Sequence, residues 1–138
     1  MSILTAEAEV KVRFSEADML QIVWHGHYVD YLEDGRQAFG EKYGIGYLQV
    51  YEYGFSIPIV KLNIDYKQPL RFSDTAIVET RYVSTEAAKL IFHYTIKNKA
   101  TGKVIATAET IQVFVDTGGL LSLTVPDFFV EWKRKWGL

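Results

Sequence analysis

The stretch Phe14-Ser15-Glu16-Ala17-Asp18-Met19-Leu20-Gln21-Ile22-Val23-Trp24-His25-Gly26-His27-Tyr28 gathers the residue types best able to do chemistry in this sequence. Two carboxylates, Glu16 and Asp18, precede His25 and His27 where an alternating segment gives way to a helical one. The start of a helix carries unpaired N–H groups and the positive end of its dipole. Such groups polarise a carbonyl and stabilise an oxyanion. A carboxylate held beside them could attack that carbonyl or activate water. A structural role competes at Asp18, which could simply accept backbone N–H bonds ahead of the helix. Glu16 reads as a solvated carboxylate; were it close to Asp18, each would raise the other's pKa. For the His25 ring, capping competes with catalysis. His27 reads as surface or interface, and His93, between Phe92 and Tyr94 on the polar face of a strand, as non-functional.

Other chemistries lack their residues. The sequence has no cysteine, which removes disulfides, thiolate metal sites and Cys nucleophiles together. It contains no G-x-S-x-G elbow, P-loop, G-x-G-x-x-G or H-E-x-x-H pattern. His25 and His27, two apart, are poorly spaced to ligate from one helix face, so neither metal nor cofactor is expected. Fifteen Lys+Arg against seventeen Asp+Glu leave a formal net charge of −2, which argues against binding nucleic acid or an anionic membrane by bulk charge. Aromatic residues, 14% of the chain, read as core and interface rather than as a base-stacking platform. Met1–Thr5 is short and uncharged, unlike a secretory leader. No apolar run approaches the ~18 residues of a membrane span. The expectation is a soluble, cytoplasmic protein of one domain, residues 1–138.

The elements that must position these residues follow from periodicity. In Glu9–Phe14, Val10, Val12 and Phe14 alternate with charged residues, predicting a half-buried strand. From about Gly26 to Tyr43, Val29, Leu32, Arg36, Phe39 and Tyr43 recur at helical spacing, and Gly44 is a natural stop. Gly35 within this helix costs about 1 kcal/mol relative to Ala, so it is either tolerated or marks very close packing. Glu33 and Arg36 predict an ion pair on the helix face. Gly44–Gly54 reads as a loop with a short helical turn. Strands follow: Val60, Leu62, Ile64 and Tyr66 alternate with polar residues, as do Ala76–Tyr82 and Leu90–Ile96, before the long run Val104–Val115. Their short connections favour antiparallel neighbours. Thr117-Gly118-Gly119 predicts a turn returning Leu120–Leu123 as a short strand, and Pro126–Trp136 a terminal helix. One helix cannot cover both faces of such a sheet. The economical α+β solution curls the sheet around the helix and uses its other face or its edges for association.

The segment from Phe14 to Arg36 resembles the 4-hydroxybenzoyl-CoA thioesterase-like family of hotdog-fold acyl-CoA thioesterases. Its pattern is an aromatic residue, two acids, a spacer, a hydrophobic pair, an aromatic or His, then Tyr, an acid and Arg. Phe14, Glu16, Asp18, Ile22-Val23, Trp24-His25, Tyr28, Glu33 and Arg36 hold these positions. The likeness continues through Ile57-Pro58-Ile59-Val60-Lys61-Leu62-Asn63-Ile64-Asp65-Tyr66-Lys67-Gln68-Pro69 to Asp74. The resemblance implies a hotdog fold, a curved antiparallel sheet wrapped around one long central helix, and a homodimer or homotetramer with sites at subunit interfaces. It implies Asp18 as catalytic nucleophile or general base, the His25 backbone N–H as oxyanion donor, and its ring as a catalytic or positioning group. Substrate contacts are implied at Trp24, Gly26, Asn63, Tyr66 and Lys89, with plain packing the competing role at Tyr66. Phe14 stands where several members have Tyr, and Leu20-Gln21 where Gly is common. The Ser84–Lys89 loop offers Lys89, with Arg81 nearby and Glu86 opposing, where some relatives gather basic residues for the CoA phosphates.

The reaction so implied is hydrolysis of an acyl-CoA to free acid and CoA. A non-catalytic acyl-CoA binding or assembly module, keeping the pocket but using Asp18 structurally, is the alternative. A hydratase ranks below both, because no His outside the 14–28 segment is expected near an acid.

Overall fold

The computed structural model describes residues 3–138; Met1 and Ser2, part of the segment read above for a leader, lie outside them. Strand β1 (Thr5–Lys11) leads through an irregular stretch into helix α1 (Tyr28–Tyr43), then a short helix α2 (Tyr47–Glu52). A two-residue strand β2 (Phe55–Ser56) precedes β3 (Ile59–Tyr66) and then the meander β4 (Thr75–Val83), β5 (Lys89–Asn98) and β6 (Val104–Val113). Strand β7 (Val115–Asp116) pairs with β2, and α3 (Asp127–Lys135) closes the described chain. The main sheet is antiparallel throughout in the order β1-β4-β5-β6-β3, which leaves β1 and β3 as its edges.

The period-2 reading holds best at the sheet centre. Ala76, Val78, Thr80 and Tyr82 of β4 and Leu90, Phe92, Tyr94 and Ile96 of β5 are all buried under α1. The helix supplies Tyr28, Tyr31, Leu32, Gly35, Arg36, Phe39, Gly40 and Tyr43 to the same layer. At Gly35, an added Cβ would stand 2.4 Å from Thr80 Oγ1 and 2.9 Å from Val78 Cγ1, so this glycine marks close packing. Gly44 takes a left-handed φ of 76° and returns its N–H to Gly40 O at 2.9 Å, ending the helix as expected. Beyond it, the indole N–H groups of Trp132 (2.8 Å) and Trp136 (3.2 Å) both donate to the Tyr43 carbonyl, docking α3 on the helix end.

Several expectations need correction. Strand β1 starts earlier and ends at Lys11; Phe14 lies in a 3₁₀ turn, Phe14–Glu16, and is 79% exposed. The helix proper begins at Tyr28, after a separate 3₁₀ turn at His25–His27, and Val29 faces outward. A bulge between Ile59 and Lys61 breaks the β3 alternation and leaves Val60 60% exposed. Leu120–Leu123 forms no strand, only a single bridge from Leu121 to Val115. Arg36 does not pair with Glu33. Its guanidinium is turned inward, donating from Nε to the Tyr47 hydroxyl (3.3 Å) and from Nη1 to the Tyr94 hydroxyl (3.2 Å). Among the described residues, no helix is long and apolar enough to cross a membrane.

Candidate active site

The chain between β1 and α1 is held mainly by backbone bonds, with a smaller set from side chains. Val23 N–H donates to Leu70 O (2.8 Å), and Ile22 forms a bridge with Arg71, tying the stretch to the turn after β3. Inside it, Ala17 faces Val23, and a tight turn connects them. Asp18 organises that turn: its N–H donates to Ile22 O, and its Oδ1 accepts from Leu20 N–H (2.8 Å) and Ile22 N–H (3.3 Å). Gln21 takes a φ of 63° to close the loop, a conformation glycine would adopt more easily. The structural role weighed for Asp18 is therefore present, on one oxygen; Oδ2 has no partner among the described residues.

Glu16 is not a free, solvated carboxylate. Its Oε1 accepts from the Arg13 N–H (2.7 Å) and from the Tyr31 hydroxyl (3.1 Å), pinning the loop to α1. Burial first, then the adjacent Glu16 carboxylate, pushes the Tyr31 phenol well above its ordinary pKa, so the tyrosine stays a donor. The Trp24 N–H donates to Glu16 O at 3.1 Å.

At the start of the His25–His27 turn, the N–H groups of His25 and Gly26 have no acceptor among the described residues, whereas His27 N–H returns to Trp24 O (3.0 Å). The Trp24 indole lies over Gly26, where a Cβ would come within 2.0 Å of its ring; a side chain there would displace the tryptophan. Tyr66, at the end of β3, donates its hydroxyl to the His25 carbonyl (2.8 Å), and its ring meets Tyr28 edge-on at 5.0 Å. Desolvation raises the pKa of the Tyr66 phenol, which keeps that donor protonated.

The fold thus brings Trp24, His25, Gly26 and Tyr66 together, with the Asp18 turn bonded to the same stretch. It does not bring Asn63 or Lys89 there. Asn63 points from the outer face of β3, in register with Glu109 and, beyond it, His93 and Arg81. Lys89 opens β5, seven positions from Ile96, which shares a row with Tyr66 through Ala106; at ~3.3 Å per residue that is about 23 Å. His93 also needs correction. Its Nε2 lies 2.8 Å from Glu109 Oε2, a His–acid pair outside the 14–28 segment, though on the sheet face away from α1.

Sequence reasoning missed a second polar group. On the far flank of α1, a cavity of about 550 Å³ is lined by Arg36, Tyr47, Phe39, Leu90, Phe92 and Gln112, among others. Tyr94 links Arg36 to Thr110 Oγ1 (2.6 Å), and Gln112 Nε2 donates to Ile57 O (2.7 Å). The signal available was a strong cation at a position the helical period assigns to the core.

Comparison with known proteins agrees with this architecture. The family model of the thioesterase-like superfamily matches residues 12–133. A Bacillus subtilis protein named "Putative acyl-CoA thioesterase YneP" is 31% identical over 127 residues, covering 92% of this chain and 91% of its own. The chloroplastic acyl-acyl carrier protein thioesterase ATL3 of Arabidopsis thaliana is 33% identical over 110 residues, covering 80% of this chain and 58% of its own. A crystal structure of a DHNA-CoA thioesterase from Staphylococcus aureus superposes with a TM-score of 0.85 at 21% identity, over 96% of this chain and 89% of that one, a likeness of fold. With the sheet wrapped on α1 and the turn at its head already described, these matches make the chain a hotdog-fold enzyme of thioester hydrolysis, belonging to the thioesterase-like superfamily.

Proposed function

We propose that the protein hydrolyses acyl-CoA thioesters, with Asp18 as the catalytic carboxylate and the head of the His25–His27 turn as the oxyanion site. The observation that carries this reading is the pair of uncommitted N–H groups at His25 and Gly26, on the stretch that the Asp18 turn leads into. Donors already fixed in place need no reorganisation when charge develops on the thioester oxygen. Asp18 Oδ1 is occupied by two backbone donors, which fixes the carboxylate and leaves Oδ2 to act. Oδ2 either attacks the carbonyl carbon, expelling CoA thiolate and leaving an anhydride that water cleaves, or removes a proton from the water that attacks. Both routes end in free acid, CoA thiol and regenerated carboxylate.

In this reading the His25 ring and the Trp24 indole flank the thioester, with ring centroids 4.8 Å apart, and the absence of a side chain at Gly26 lets the indole lie against the turn. Tyr66 holds the turn by its His25 carbonyl bond. Residues 1–138 act as one hotdog domain that works as a homodimer or homotetramer paired through sheet edges. Lys89 then meets CoA only from a second copy, and Asn63 contributes at the outer face of the β3 edge. Acyl-CoA is the substrate, rather than nucleic acid or membrane.

The non-catalytic reading has one observation in its favour, the structural bonds on Asp18 Oδ1. Asp18→Asn separates the two. Asparagine keeps the carbonyl oxygen that accepts from Leu20 and Ile22, so the fold should survive, while the anionic oxygen is lost. Thiol release from acetyl-, hexanoyl-, palmitoyl-, benzoyl- and phenylacetyl-CoA should fall at least a hundredfold in the variant, within the range typical of general acid–base groups. Undiminished turnover would remove Asp18 from the mechanism. Equal acyl-CoA binding with no turnover in either protein would favour the binding module.

A further inference from the structure

Arg36 is a cation in a place that gives it no counter-ion. It is 7% exposed, and among the described residues no carboxylate lies within 4 Å of it. Its two partners are neutral hydroxyls, Tyr47 and Tyr94, which occupy Nε and one hydrogen of Nη1. Nη2 has no protein partner, yet it is not sealed off, and Arg36 lines the 550 Å³ cavity. Buried charges in folded proteins are ordinarily paired. Here the free edge of the fork faces the cavity. Beside it, Gln112 is fully buried with its Oε1 unpartnered. Glu33 and Glu41 also border the cavity, but both are exposed and form its rim.

The cavity and the head of the helix lie along one flank of α1. Val29, Glu33, Arg36 and Gly40 follow one stripe of α1 at helical spacing, continuing from the turn at His25. Strand β3 passes the same two ends in the reverse chain direction. Tyr66 lies at the His25 end, then the half-buried inner residues Ile64 and Leu62, in register with Ala108 and Thr110. Next to Thr110, Gln112 lines the cavity. This flank, with half-buried apolar residues on its β3 side, has uncommitted amides at one end and a guanidinium at the other.

We propose that this flank forms a gutter that holds the acyl group, and that Arg36 selects acyl groups carrying a hydrogen-bond-accepting oxygen at their far end over plain hydrocarbon chains. The inference rests on the acyl-CoA hydrolase reading above and adds its substrate class. An alkyl terminus would leave the guanidinium unpaired and newly desolvated. A keto, hydroxyl or carboxylate oxygen would complete it, and the exposed Glu33 and Glu41 at the rim would weigh against the carboxylate.

The test uses CoA thioethers, which bind without turning over. S-octyl-CoA is compared by calorimetry with its ω-hydroxy, terminal methyl-ketone and ω-carboxy counterparts, and with chains one and two carbons longer and shorter. At the chain length that fits, at least one oxygenated probe should bind tenfold more tightly than the hydrocarbon of equal length, about 1.4 kcal/mol. Which probe gains most identifies the oxygen. Arg36→Gln should reduce that ratio to near one, and Arg36→Lys, which keeps the charge but not the fork, should leave an intermediate ratio. Equal binding at every length overturns the proposal, as does a ratio that Arg36→Gln leaves intact. The wild-type comparison decides the matter by itself should Arg36→Gln fold poorly. Thiol release from the matching thioesters separates the two readings. Turnover without preference for oxygen removes only the role of Arg36. No turnover on any chain removes the hydrolase, while the thioether ratios still report on the cavity.

Discussion

Asp18 has a structural job on one oxygen, and the catalytic job proposed for it falls to the other. Its type, its place and the chance of backbone bonds to it were readable in the sequence, while the partners in those bonds were not. A carboxylate two residues after another acid and seven before a histidine can be seen in a linear string, but the Leu20 and Ile22 amides converge on it only because Gln21 turns through a positive φ. Tyr66 is legible in the same partial way. Its alternation placed it on β3, whereas its bond to the His25 carbonyl spans 41 residues of chain. That bond gives a prediction. Tyr66→Phe keeps the edge-on contact with Tyr28 and removes the donor, so stability should fall by about 0.5–1.5 kcal/mol. Because the turn it steadies carries the proposed oxyanion donors, kcat should fall more than KM changes. A thermal melt and a saturation curve on the same preparation check both. A variant with wild-type kcat would detach Tyr66 from the site.

At the scale of elements, periodicity located the helix and the central strands because those segments are buried on a single face. It failed where a face is shared or open: Phe14 and Val29 are apolar residues turned outward, and the surface ion pair expected of Arg36 gives way to a charge turned inward, where the period itself had put it. The Gly35 contact tests how tightly α1 sits on β4. Gly35→Ala would gain up to about 1 kcal/mol of helix propensity, but its methyl meets Thr80 and Val78 inside contact distance. Overpacking of this kind costs about 1–3 kcal/mol, so chemical denaturation should show net destabilisation. The opposite flank of α1 offers a pH test. Burial, then the charges of Glu33, Asp30 and Glu16, raises the Asp34 pKa above 3.8. A carboxyl raised in the folded state destabilises the fold once ionised, fully above its folded pKa and not at all below its unfolded one. Asp34→Asn should therefore raise the melting temperature modestly at neutral pH, the side chain being solvent-screened. The gain should fade as pH falls and vanish below about pH 3.8. A gain that persists in acid would assign it to packing instead of charge.

Across the whole molecule, the main sheet ends in β3, an edge strand beside the proposed site, with Val60 projecting at its bulge. An open edge is a template for another strand, and pairing β3 with its copy would be isologous, each residue meeting its counterpart's surroundings. This is the scale at which the linear sequence says least. It shows that one helix cannot cover both faces of the sheet, but not which edge a partner takes, and it cannot say how Lys89, about 23 Å from the Tyr66 row at ~3.3 Å per residue, would meet substrate. Because symmetry doubles any change at such an interface, Val60→Lys places two extra cations near one axis. Sedimentation should then show wild-type dimers or tetramers and a smaller species for the variant, with its thermal unfolding still cooperative. If the site is completed by the partner, thiol release should be lost in step with association and return at high protein concentration. A wild-type protein that sediments as a monomer and still turns over would place the whole reaction within one copy, and Lys89 would then have no part in holding CoA.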